Sequence, residues 1–153
     1  MNIETQQFGT LEFEESALLT FAGGILGFEN FTRYLLIDQD EVAPLRWFQP
    51  IDDPALAFTV IDPLLFFPDY RVSLGGEDRQ ALQLAKGEEP LVLALVTIPE
   101  DPAAMTANLL GPLVINPVTR LGKQLVLHDS GYPVRARLIS DETIASQTPP
   151  VTV

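Results

Sequence analysis

The chain has 153 residues, no cysteine, 46% hydrophobic residues, and 21 acidic against 9 basic side chains, for a formal charge of −12. This excludes a disulfide framework, a cysteine-based zinc site and thiol chemistry, and it argues against a natively disordered chain. It also disfavours direct contact with nucleic-acid phosphates or anionic lipid heads, which such a charge repels.

The length suits one domain, and folding would bury roughly 70% of the surface that the unfolded chain exposes. The first residues, MNIETQQFGT, show neither a basic region nor an apolar run of the signal-peptide kind. The longest apolar runs, such as residues 91–96, are too short to span a membrane. The expectation is a cytoplasmic protein. The charge is uneven: residues 1–116 hold 18 acids and 5 bases, whereas residues 117–153 hold 3 acids and 4 bases.

In chain order, residues 3–13 read as an extended segment interrupted at Phe8-Gly9-Thr10, by a hairpin turn or a bulge. Residues 18–21 form the next apolar segment. Gly23-Gly24 punctuates it, and Ile25-Leu26-Gly27-Phe28 reads as a tight turn docking two side chains in the core. Strands are predicted over residues 33–38 (RYLLID), 45–51 (LRWFQPI, with Pro50 marking an edge or a terminus) and 56–62 (LAFTVID). A helix is predicted over residues 77–85 (EDRQALQLA), with Glu77 and Asp78 in its first turn and Gly87 as its stop. Residues 91–98 (LVLALVTI) read as a buried strand.

Asp101-Pro102 is read as opening a shorter helical turn through residues 105–110. Two further strands, 113–116 and 124–128, are joined by a hairpin loop over 117–122 with Gly122 near its end. Many short strands among 13 prolines and 10 glycines suggest a barrel or sandwich. The expected fold is mostly β. It comprises one domain over residues 1–139, with one or two short helical insertions, and a flexible tail over residues 140–153.

The catalytic inventory is thin. His128 is the only histidine, and it follows an apolar run as a structural or surface residue. No nucleophile elbow, phosphate loop, dinucleotide fingerprint or zinc-protease motif occurs. Neither a metal nor another cofactor is expected. Asp52-Asp53-Pro54 and Asp62-Pro63 read as turns, in which the aspartate accepts a backbone N–H. The competing reading is a carboxylate-dependent hydrolase, which needs two acids facing each other in a cleft.

The segment Asp62-Pro63-Leu64-Leu65-Phe66-Phe67-Pro68-Asp69-Tyr70 is more informative. Its large apolar residues either pack into the core or form an acid-rimmed docking surface for an amphipathic, partly basic partner. The candidate contacts are Asp62, Phe66, Phe67, Asp69 and Tyr70, with Asp52 and Asp53 as rim charges. Asn108 and Asn116 are secondary candidates whose ordinary use is local backbone bonding.

An ordered set of short motifs across residues 2–135 carries a resemblance. It begins with Phe8-Gly9-Thr10-Leu11, Gly24-Ile25-Leu26-Gly27-Phe28, Asp52-Asp53-Pro54 with Phe58, Val60-Ile61-Asp62-Pro63 and Phe67-Pro68-Asp69-Tyr70. It continues with Val96-Thr97-Ile98-Pro99, Thr106-Ala107-Asn108-Leu109-Leu110-Gly111-Pro112, Val114-Ile115-Asn116 and Tyr132-Pro133-Val134-Arg135. No single motif is specific, but the chain as a whole resembles the FliW family of bacterial flagellar assembly factors. Gly75-Gly76 and the tail from Ser140 depart from the family pattern. The resemblance implies a small, partly open β-barrel without catalytic activity. It also implies two protein partners, flagellin and the translational regulator CsrA, with CsrA antagonised allosterically and flagellin translation thereby relieved from repression.

Overall fold

A computed structural model describes residues 2–6 and 8–138. In chain order the strands are β1 (Asn2–Thr5), β2 (Gly9–Glu12), β3 (Leu19–Phe21), β4 (Arg33–Asp38), β5 (Arg46–Pro50) and β6 (Phe58–Ile61). Helix α1 (Gly76–Ala81) follows, then β7 (Leu91–Thr97), β8 (Thr106–Ala107), β9 (Leu113–Ile115), β10 (Leu121–Gln124) and β11 (Ala136–Arg137).

The strands from β3 to β7 pair consecutively and antiparallel. Strand β7 also pairs with β9, β9 pairs with β10, and β10 runs parallel to β3. Seven strands therefore close into a ring, so the expected small β-barrel is present with its seam joined. Strands β8 and β11 extend the sheet beyond β7. The hairpin β1–β2 is a separate sheet, tied on by the Gln6 N–H donating to Pro54 O at 3.0 Å and by an edge contact of Phe8 with Trp47.

The core follows from alternation. Leu19, Phe21, Tyr34, Phe48, Val60, Leu93, Leu113 and Ile115 point into the barrel. Two further apolar layers cover its outer wall. One holds Ile61, Tyr70, Ala94, Ala107, Leu109 and Ala136; the other holds Leu82, Leu84, Val114 and Leu125. Strand β7 is thus covered on both faces, which accounts for its continuous apolar reading.

At the seam Gly122 pairs with Phe21. A Cβ on Gly122 would lie 2.1 Å from Phe21 Cε1, so the ring occupies the space that a side chain would need.

Several boundaries differ from expectation. The helix ends at Ala81 rather than Ala85, because Gln83 turns to a positive φ of 58° and Leu82 and Leu84 both bury against β9. The helical turn expected from Asp101 stops after Pro102–Ala104, where Thr106–Ala107 joins β7 as a strand. The strand expected at 124–128 lies at 121–124, so Gly122 belongs to the strand and Arg120, at φ 66°, closes the loop. The tight turn at 25–28 docks only Ile25; Leu26 and Phe28 remain exposed. The expected tail, residues 140–153, lies outside the described residues.

Candidate protein-docking surface

The loop after β6 is built from its aspartate outward. Asp62 Oδ1 accepts the Leu64 N–H at 3.0 Å, capping a 3-10 turn over Pro63–Leu65. Phe66 N–H and Phe67 N–H both donate to Pro63 O. This tight turn buries Pro63 yet leaves Leu64 49%, Leu65 63% and Phe66 36% exposed. Phe67 packs on the outer apolar layer. Together with Phe66, Asp69, Tyr70, Leu109 and Tyr132 it lines an open groove of about 430 Å³.

Tyr70 is buried, and its hydroxyl donates to Leu109 O at 2.6 Å. Its ring meets Tyr132 edge-on at 4.7 Å, and Tyr132 Oη accepts the Arg71 N–H. Burial, reinforced by neighbouring Tyr132, pushes the Tyr70 hydroxyl well above the usual phenol range. Tyr70 therefore supports the loop from beneath and presents little surface of its own.

The other candidate residues scatter. Asp52 pairs with Arg33 at 3.2 Å, and Asp53 Oδ1 accepts the Ala55 N–H at 3.0 Å. Both lie in the β5–β6 turn, at the opposite end of β6 from the 62–70 loop, roughly 13 Å away by strand rise. They do not rim that loop as expected. Asn108 Oδ1 accepts the N–H groups of Leu110 and Gly111, making a local turn. Asn116 is 2% exposed. Its amide donates to Leu82 O at 2.8 Å, and its Oδ1 accepts from Val118 N–H. These contacts leave Asn116 a structural anchor in place of a contact residue.

The aspartates that precede proline cap turns by accepting a backbone N–H, as expected for those dipeptides. Among the described residues, no three acids or histidines gather in a metal-binding arrangement. Leu64 and Leu65, outside the predicted set, are more exposed than Phe66 and join it as candidates. The signal was present in Asp62-Pro63, since a capped 3-10 turn starting there has too little length to fold all four apolar side chains inward.

The class that these observations define is a small closed β-barrel with capped turns and an exposed apolar loop after β6. The family model described as "FliW protein" matches residues 2–138. The flagellar assembly factor FliW of Natranaerobius thermophilus is 40% identical over 143 residues, spanning 93% of this chain and 95% of that protein. That of Moorella thermoacetica is 41% identical over 152 residues, spanning 95% and 96% respectively. A crystal structure of the flagellar assembly factor FliW superposes with a TM-score of 0.86 at 32% identity, covering 93% of this chain and 99% of that one. The chain belongs to the FliW family.

Proposed function

We propose that this protein is a non-enzymatic partner-switching factor of the cytoplasm. It binds flagellin and the translational regulator CsrA, antagonises CsrA allosterically, and so relieves repression of flagellin translation. The family membership supports this role in flagellar assembly.

The observation that carries it is the loop at 62–70. Leu64, Leu65 and Phe66 stand in solvent beside an apolar groove, in a chain whose net charge is −12. Exposed aromatic and aliphatic side chains of this kind are anchors for a protein partner. The acidic field attracts a basic one such as an RNA-binding regulator.

The test is calorimetric titration with cognate CsrA, then the same titration with flagellin present. Saturable heat that flagellin abolishes is the expected result. The double change Leu65→Ser with Phe66→Ser should weaken CsrA binding by about 30-fold or more, the loss of a hot-spot pair, while the circular-dichroism melt stays near the parent's. Absence of heat with both proteins from a folded sample would overturn the reading. Undiminished affinity in the double variant would remove the loop from the interface.

A further inference from the structure

Beside the 62–70 loop lies a second groove of about 320 Å³, whose apolar lining includes Leu64, Val72, Leu74 and Val92. Two of its remaining lining residues are Arg71 and Arg79. In a chain with 9 basic residues against 21 acidic ones, this pairing of arginines is notable for what it does not contact. Neither arginine belongs to an ion pair among the described residues, whereas Arg33, Arg46 and Lys123 each hold an aspartate.

Their hydrogen bonds go instead to backbone carbonyls. Arg71 Nη1 donates to Pro68 O at 3.0 Å and to Tyr70 O at 2.9 Å. Arg79 Nη1 donates to Ala85 O at 3.3 Å and to Glu88 O at 3.0 Å. Each guanidinium is thus tethered through one nitrogen, while Nε and Nη2 make no hydrogen bond within the described residues. That remaining edge is the fork that receives a carboxylate through two parallel bonds. The tether also lowers the ordering entropy of a long side chain on binding.

The geometry points to this groove as a docking site for an acidic, aliphatic segment of a partner protein: an Asp or Glu carboxylate held between Arg71 and Arg79, with flanking aliphatic side chains against Val72, Leu74 and Val92. Charge complementarity selects that occupant, because a basic segment would meet two uncompensated guanidiniums. Glu89 also lines the groove and opposes the incoming carboxylate, so its charge limits the affinity. The assignment rests on the reading of the chain as a partner-binding protein but not on the identity of either partner. It extends that reading by placing an acid-seeking surface next to the 62–70 loop of a chain whose net charge is −12.

The test is an amide and arginine-Nε NMR titration of the full chain with the peptide acetyl-Ser-Leu-Glu-Leu-Ser-amide. The matched peptide with Gln in place of Glu, and inorganic phosphate, serve as comparisons. The expected result is saturable shifts at Val72, Leu74, Val92 and both arginine Nε resonances, with the Glu peptide about tenfold tighter than the Gln peptide. Arg71→Gln should erase that preference and Glu89→Gln should raise affinity for the Glu peptide. Arg79→Gln also releases the turn at 85–88, and Arg71→Gln the carbonyls of Pro68 and Tyr70, so the peptide comparison on the unaltered chain and the exposed Glu89 change decide the matter. Equal binding of the two peptides, shifts confined to another surface, or phosphate matching the Glu peptide would each overturn the assignment. The titration uses neither CsrA nor flagellin, so its failure is separable from failure of the partner-switching role.

Discussion

Tyr34 and Tyr70 are both buried, yet among the described residues only Tyr70 of the two has a partner for its hydroxyl. Tyr34 stacks on Phe48 with ring centroids 4.3 Å apart, and its Oη makes no hydrogen bond within the described residues. Removing an unpaired polar group while keeping the ring is neutral or favourable. Tyr34→Phe should therefore leave the urea midpoint unchanged or raise it. Tyr70→Phe strands Leu109 O and should lower stability by about 1–2 kcal/mol.

Both hydroxyls also tie stability to alkaline pH. Burial raises the Tyr34 pKa from 10.0 to about 12 and raises that of Tyr70 further. The folded state thus holds its phenolic protons where the unfolded chain releases them. Stability from this source is complete below about pH 10 and declines as pH climbs through the folded-state values. Urea melts at rising pH should show that decline, and Tyr34→Phe should make it shallower. Gly122→Ala is the sharpest residue-scale test of the seam. Its methyl would overlap Phe21, and the melt should report a loss of about 1–3 kcal/mol.

Among the elements, the segment after α1 depends on a residue distant in sequence. The Asn116 amide holds Leu82 O at 2.8 Å and Gln83 O at 3.3 Å, while its Oδ1 caps the loop at 118–119. Asn116→Ala should cost about 2 kcal/mol or more, since it strands several buried groups at once. Hydrogen exchange should speed up at Val118 and Thr119, whose amides it caps.

This dependence explains why the helix is shorter than the sequence predicts. Residues 77–85 have uniformly good helix propensity, and nothing local marks Gln83 as the turning point. The turn is imposed by burial of Leu82 and Leu84 against β9 and by the reach of Asn116. By contrast, β4, β5, β6 and β7 were legible because alternation or a continuous apolar run fixed them locally. Strand β8, of two residues, had no periodicity to read.

For the molecule as a whole, the charge of −12 predicts a kinetic effect. Association with a basic partner should slow by about tenfold or more between about 0.05 M and about 0.5 M salt, as screening removes the steering field. Stopped-flow fluorescence from Trp47 would measure it. The site was legible only in part. The loop at 62–70 stood out because four large apolar residues between prolines are unusual. The separation of Asp52 and Asp53 from it depends on which end of β6 each turn occupies. That is a property of topology, as is the meeting of Arg71 with Arg79 in one groove.

The parallel pairing of Thr20 with Leu121 carries a consequence for synthesis. The two partners are about a hundred residues apart in the chain, so of the strand pairings this one carries the greatest loop-closure cost. A ribosome-bound chain displays β3 with an unmatched edge until β10 has left the exit tunnel. The barrel is therefore completed only when nearly the whole described domain has been made.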